Sequence, residues 1–168
     1  MKDKELNILL RDEADRLGVC EKFREVWTDD FNRQDLINFY KRGIEFCIDY
    51  DWPSNDFIKK HFDNDLLKKN NIYMGEFGTV QNMNGVYICN DDSKGVLKFS
   101  GMDVATIYVR GRSSVSIEAG DISKVFIDLL DEAEVHVKQI GSAAVYVYQK
   151  SKKSKLETEG KVMIRRRG

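Results

Sequence analysis

The sequence predicts an α+β chain in which a helical N-terminal lobe, residues 1–72, precedes a short β-solenoid with a basic C-terminal end, residues 73–168. Three observations carry that prediction. Apolar residues recur at three- and four-residue spacing up to about residue 70, as on amphipathic helices. From Phe77 onward the chain aligns with itself at a period of ten, as stacked repeats do. Of the 168 residues 42% are hydrophobic and 33% charged, enough for a core under a charged surface and too apolar for a disordered chain. The 12 Gly and single Pro exclude collagen-like and Pro-rich classes.

The helices follow in order. Leu6, Leu9, Leu10, Ala14 and Leu17 fall on one stripe over residues 4–17, and Gly18 can stop that helix. A short segment follows with Phe23, Val26 and Trp27 on one side. Over 34–50 the spacing predicts one longer helix, with Leu36, Ile37, Tyr40, Ile44, Cys47 and Ile48 on one face, widened by Phe39 and Phe46. Asp51-Trp52-Pro53-Ser54 breaks it, because proline disfavours helix in the residue before it. Ser54 can cap a helix carrying Phe57, Ile58 and Phe62. Asp63 or Asn64 can cap a last turn or two through Leu66 and Leu67, closed by Asn70-Asn71, giving four or five short helices.

The repeat is the stronger signal. One column holds Phe77, Tyr87, Leu97, Ile107, Ile117, Ile127, Val137 and Val147. Two residues earlier runs Gly75, Gly85, Gly95, Ala105, Val115, Val125, Val135 and Val145. Apolar-x-apolar alternation in β-branched residues is a strand with one face buried. Turn-forming residues separate the strands: Gly111, Ser113-Ser114, Gly120-Asp121, Asp131-Glu132 and Gly141-Ser142. About eight ten-residue repeats result. A solenoid, with equivalent strands stacked about 4.8 Å apart, explains why residue classes hold in column. An antiparallel meander is the alternative, yet the favoured hairpin pair occurs only at Asn84-Gly85. Two strands per 20-residue coil would set Glu118 beside Lys138 and gather Tyr108, Phe126, Tyr146 and Tyr148 on the opposite face, whereas three strands per coil would scatter both groups. Near the C-terminus the repeat is expected to decay, since Lys155 and Glu157 occupy the apolar columns before Val162 and Ile164 resume the alternation.

Tyr40-Lys41-Arg42-Gly43-Ile44-Glu45-Phe46-Cys47, the Trp52-Pro53 break, and the strand phrases Val125-Phe126-Ile127 and Val145-Tyr146-Val147-Tyr148-Gln149 carry a resemblance. Over most of its length the chain resembles a group of small helical-plus-β-repeat proteins from anaerobic gut bacteria and their phages. That group has no assigned activity, so the resemblance transfers no functional residue. The Gly-Gly-x-Gly-x-Asp signature of calcium β-rolls is missing.

Charge and motifs bound the function. Lys+Arg 27 against Asp+Glu 28 leaves no overall field toward nucleic acid or membrane. No apolar run approaches the roughly 20 residues of a membrane span, and the charged N-terminus is unlike a secretory signal. Cys20, Cys47 and Cys89 are far apart without CxxC spacing, which suits reduced thiols and a cytoplasmic protein. No phosphate loop, dinucleotide fingerprint, nucleophile elbow or zincin motif occurs, so no catalytic residue, cofactor or metal is expected. His61 and His136 read as exposed surface residues and Cys47 as a core thiol. Glu118 and Asp128 occupy equivalent outward positions of successive repeats, the one hint of a polysaccharide-cleaving enzyme.

The expected role is a non-catalytic interaction or assembly module, docking a protein partner or forming a homo-oligomer. Its candidate face is Tyr108, Phe126, Tyr146 and Tyr148, because outward aromatics favour burial against a partner. The runner-up is weak nucleic-acid or other polyanion binding through Lys150, Lys152, Lys153, Lys155, Arg165, Arg166 and Arg167, within a segment of eight cations and two carboxylates. Carbohydrate binding on the aromatic face is the third reading.

Overall fold

A computed structural model describes residues 1–81 and 84–167 and divides the chain into two compact units, Met1–Leu67 and Lys68 onward. The helices are α1 (Asp3–Arg16), α2 (Glu21–Val26), α3 (Arg33–Arg42), α4 (Ile44–Tyr50), α5 (Asn55–His61) and α6 (Asn64–Lys69). Among the described residues six helices thus replace the four or five expected. The single helix expected over 34–50 is two, because Gly43 takes φ −99 and ψ 21 between them. A side chain there would crowd Phe23, whose ring a Cβ would meet at 3.3 Å, and Phe23 packs edge-on against Phe39 at 5.1 Å. Aromatic packing therefore interrupts what the apolar spacing alone would continue.

Caps fall where side-chain chemistry puts them. The Ser54 hydroxyl accepts from Phe57 N at 3.2 Å and the Asp63 carboxylate from Leu66 N at 3.0 Å, each satisfying a helix-start donor. Leu6, Leu10, Ala14, Leu36, Ile37, Ile44, Ile58 and Leu67 are buried, while Leu9 lies off the inner stripe and is exposed. Asn7 is fully buried: its amide donates to Thr28 O at 2.9 Å, and its oxygen accepts from Trp27 Nε1 at 2.6 Å. That pair of bonds offsets the cost of burying an amide and ties α1 to the segment after α2.

The second unit is a parallel β-solenoid of about five turns. Its strands are β1 (Ile72–Gln81), β2 (Gly85–Phe99), β3 (Val104–Val109), β4 (Ser114–Ala119), β5 (Lys124–Leu129), β6 (Glu134–Gln139), β7 (Ala144–Gln149), β8 (Lys155–Glu159) and β9 (Val162–Arg166). Hydrogen bonding runs β8-β6-β4-β2-β3-β5-β7-β9, with every pairing parallel, so the meander is set aside. β2 turns a corner: Gly85–Cys89 pair with β3, and Lys94–Phe99 pair with β4. Two flanks result, one of β2, β3, β5, β7 and β9, the other of β2, β4, β6 and β8. Through the middle, each residue lies beside the residue twenty places on, as Val125 beside Val145 and Val115 beside Val135.

The expected eight repeats undercount the coil, because its two ends leave the fixed period. At the start Val80, not Phe77, pairs with Leu97, and Gly78, not Gly75, with Gly95. The Phe77 ring instead stacks on Tyr73 at 4.1 Å and fills the space where a Cβ on Gly95 would stand, 2.4 Å away. At the other end Leu156 pairs with Val135 and Thr158 with Val137. One extra residue in the preceding corner thus carries Lys155 and Glu157 outward; strand pairing continues, while the core thins, with Leu156 half-buried and Thr158 exposed in the inward column. Val162 and Ile164 close the opposite flank beside Val145 and Val147.

Inward residues from both flanks form one core, including Tyr87, Leu97, Ile107, Ile117, Ile127, Val137 and Val147. The six corners from residue 90 to residue 143 each place one residue in the left-handed region, and Gly or Asp supplies it: Asp91, Gly101, Gly111, Asp121, Asp131 and Gly141, with φ between 54 and 66. The aspartates also bind the coil before them. Asp121 Oδ2 accepts from Gly101 N at 2.7 Å, and Asp131 Oδ2 from Gly111 N at 2.8 Å. Small buried hydroxyls line the corners, with Ser93 and Ser113 2.8 Å apart.

Candidate interaction face

Alternation sends every second strand residue outward, and the two flanks present different chemistry there. On the β4 flank the outward columns read Val96, Ser116, His136, Glu157 and Lys98, Glu118, Lys138, Glu159. His136 Nε2 lies 2.8 Å from Glu159 Oε2, and Lys155 Nζ lies 2.7 Å from Glu134 Oε1. This flank is charged and mutually paired.

The β5 flank is apolar outward. One column reads Val86, Thr106, Phe126, Tyr146, Met163; the next reads Ile88, Tyr108, Asp128, Tyr148, Arg165. Phe126 (41% exposed) and Tyr146 (40%) stack in parallel, 5.1 Å between centroids and 9° between planes. Stacking of that kind turns the ring edges to solvent and spends one face of each ring on its neighbour. Tyr148 is half-buried, with Lys150 Nζ and Arg165 Cζ each 5.2 Å from its ring centroid. Tyr108, expected on the same face, is only 9% exposed. It is therefore no part of an accessible surface, and the accessible aromatic set is Phe126 and Tyr146 with the rim of Tyr148.

Residues that the repeat reading passed over extend the face. Met102 (78% exposed) and Ile122 (58%) hold equivalent places in successive corners that lead into this flank, and Val104, Ile140 and Met163 are exposed as well. The signal was in the sequence: large apolar residues stand at turn positions, twenty apart, where small polar ones are the rule. Their turn positions lie outside the strand columns that carry the repeat.

Several cations of the basic segment already have partners. Lys150 donates to Asp128 Oδ2 at 2.7 Å, Lys152 and Lys153 lie in the corner before β8, and Lys155 faces outward on the charged flank. Arg165 stands beside Tyr148, Arg166 donates to Gln149 Oε1 at 3.1 Å, and Arg167 N donates to Gln149 O at 3.0 Å. Glu118 and Asp128, paired in the sequence reading, belong to β4 and β5 and face outward from opposite flanks, so they share no cleft. Among the described residues no three His, Cys, Asp or Glu side chains gather as a metal site. No helix of the described residues is long and apolar enough to cross a membrane.

These features define a helical unit followed by a two-sided parallel β-solenoid with one apolar flank. No family model matches the chain, and no curated protein and no solved structure matches it.

Proposed function

We propose that this protein is a non-catalytic interaction module that docks a partner on the apolar flank of its solenoid. One observation carries the reading: among the described residues of the solenoid, exposure of large apolar side chains is one-sided. Met102, Val104, Ile122, Phe126, Tyr146 and Met163 belong to the β5 flank or the corners leading into it, whereas the opposite flank exposes charged and hydroxyl side chains. Apolar surface left in water forgoes about 25 cal/mol for each Å² that could be buried, and contiguous patches on soluble chains mark interaction surfaces.

The edge-on rings favour a flat protein surface over a sugar, which needs an open ring face to stack on. Polyanion binding is less favoured, since Lys150 and Lys155 already hold carboxylates. We place the module in the cytoplasm, in keeping with the buried thiols of Cys47 and Cys89, neither of them in a disulfide.

The test is Phe126→Asp with Tyr146→Asp. The double variant should keep the wild-type far-UV spectrum and lose the proteins that co-purify with the wild-type chain from the native cell. If the folded variant retrieves the same proteins in the same amounts, the apolar flank is not the docking surface.

A further inference from the structure

Resting on that reading, we infer that the occupant of the apolar flank is an acidic polypeptide segment, whose carboxylates meet Lys124 and Arg165 while its apolar side chains cover Phe126, Tyr146 and Met163. The outward positions of β5, β7 and β9 are Lys124, Phe126, Asp128, then Ala144, Tyr146, Tyr148, then Met163 and Arg165. Asp128 is the one carboxylate among them, and it is taken: Lys150 Nζ lies 2.7 Å away, with both side chains about one-fifth exposed. Lys124 and Arg165 are exposed and make no ion pair among the described residues. The Arg165 guanidinium is held 5.2 Å from the Tyr148 ring centroid, so it loses less freedom on engaging a carboxylate than a waving side chain would. The face therefore offers apolar contact bordered by two cations that lack counter-charges.

Charge complementarity selects among occupants. On the strands of this face a second copy would bring Lys124 and Arg165 against the same two cations, with Asp128, the one strand carboxylate, already held by Lys150, so strand-to-strand self-pairing is disfavoured. A nucleic acid strand supplies anions but has no use for Met102, Ile122 and Met163, and a base cannot enter between rings already stacked on each other. A polypeptide with Asp or Glu beside large apolar residues satisfies both halves of the surface.

The experiment is selection of random peptides by display on the full chain, followed by affinity measurement with the synthesised winners. Selected peptides should combine acidic with aromatic or aliphatic residues. Their affinity should fall about tenfold or more for Lys124→Glu with Arg165→Glu, and recover when the peptide's acids are changed to Lys. It should also fall for Phe126→Ser with Tyr146→Ser. Peptides sensitive to the ring variants but indifferent to charge reversal overturn the acidic partner and leave the docking face standing. Peptides indifferent to both, or no selected peptides at all, overturn the docking face and the acidic partner together. A dimer in light scattering that Phe126→Asp dissolves would make the occupant a second copy. Salt-sensitive binding of single-stranded DNA lost with Arg165→Glu would make it a nucleic acid; either result overturns the inference.

Discussion

Alanine at Gly111 and alanine at Gly101 differ in one contact, and that contact reports how the coils stack. Both glycines sit at corners in the left-handed region, φ +66 and +57, and both N–H groups are held by an aspartate one coil later, at 2.8 and 2.7 Å. Each substitution therefore carries the same left-handed cost of about 1–2 kcal/mol, reduced by about 0.4–1 kcal/mol through the stiffer unfolded chain. At Gly101 a Cβ meets nothing within 4 Å, whereas at Gly111 it meets Asp91 O at 2.6 Å and Asp91 Cα at 3.0 Å, backbone atoms of the coil below. Backbone cannot rotate away, so Gly111→Ala should cost about 1–3 kcal/mol beyond Gly101→Ala, by analogy with an overpacked core. For a unit of about 100 residues that is roughly 4–20 °C in Tm. Urea melts should be followed in the strand region of the far-UV spectrum, because Trp27 and Trp52 both lie in the helical unit and report on it instead. Equal losses at the two sites, with unchanged m-values, would refute the stacking geometry.

Three further outcomes are expected. Ile127 is 1% exposed between Ile107 and Val147, so Ile127→Ala should lose about 2–5 kcal/mol in urea melts, and a loss under about 1 kcal/mol would contradict its place in the core. Burial pushes the Cys89 thiol up to about 12, Cys47 is buried and Cys20 exposed, so a thiol reagent near about pH 8 should modify one cysteine quickly in the native chain and all three after unfolding. Burial, and secondarily Asp103, raise the Tyr87 phenol to about 12, and burial raises Tyr73 too. Folding thus favours their neutral forms; their stabilisation is complete below about pH 10 and lost as pH climbs through about 12. A urea midpoint flat across that window would exclude the two phenols as a source of alkaline unfolding.

The middle of the solenoid was legible because nothing competes with its period. Val115 through Val147 alternate strictly, each corner spends four residues, and Gly or Asp recurs at the left-handed place. Pairing of Glu118 with Lys138 followed from the same arithmetic. The ends depart from the fixed period for a steric reason. Phe77 is apolar and in phase, yet its ring is needed over Gly95, and a fixed period cannot anticipate a slip that depends on side-chain volume. Lys155 misled in the opposite sense: a single added residue in the corner moves Leu156 into the core column. In the helical unit, Gly43 divides α3 from α4 because of Phe23, a contact between residues twenty apart that local spacing does not encode. As for the face, sequence located Phe126 and Tyr146 but also offered Tyr108, since alternation gives the direction of a side chain and not what lies over it.

The two-strand coil is the claim on which the separation of a charged from an apolar flank depends, and paired cysteines test it most directly. In a Cys20→Ser background, Ser116→Cys with His136→Cys places thiols on neighbouring parallel strands, about 4.8 Å apart and within disulfide reach. Ser116→Cys with Phe126→Cys places them on opposite flanks, facing away from each other across a core about 10 Å thick. Under mild oxidation the first pair should close and the second should stay reduced. Closure of the second pair in place of the first would mean that strands ten residues apart are neighbours, as in a hairpin meander, and would contradict the two-flank account.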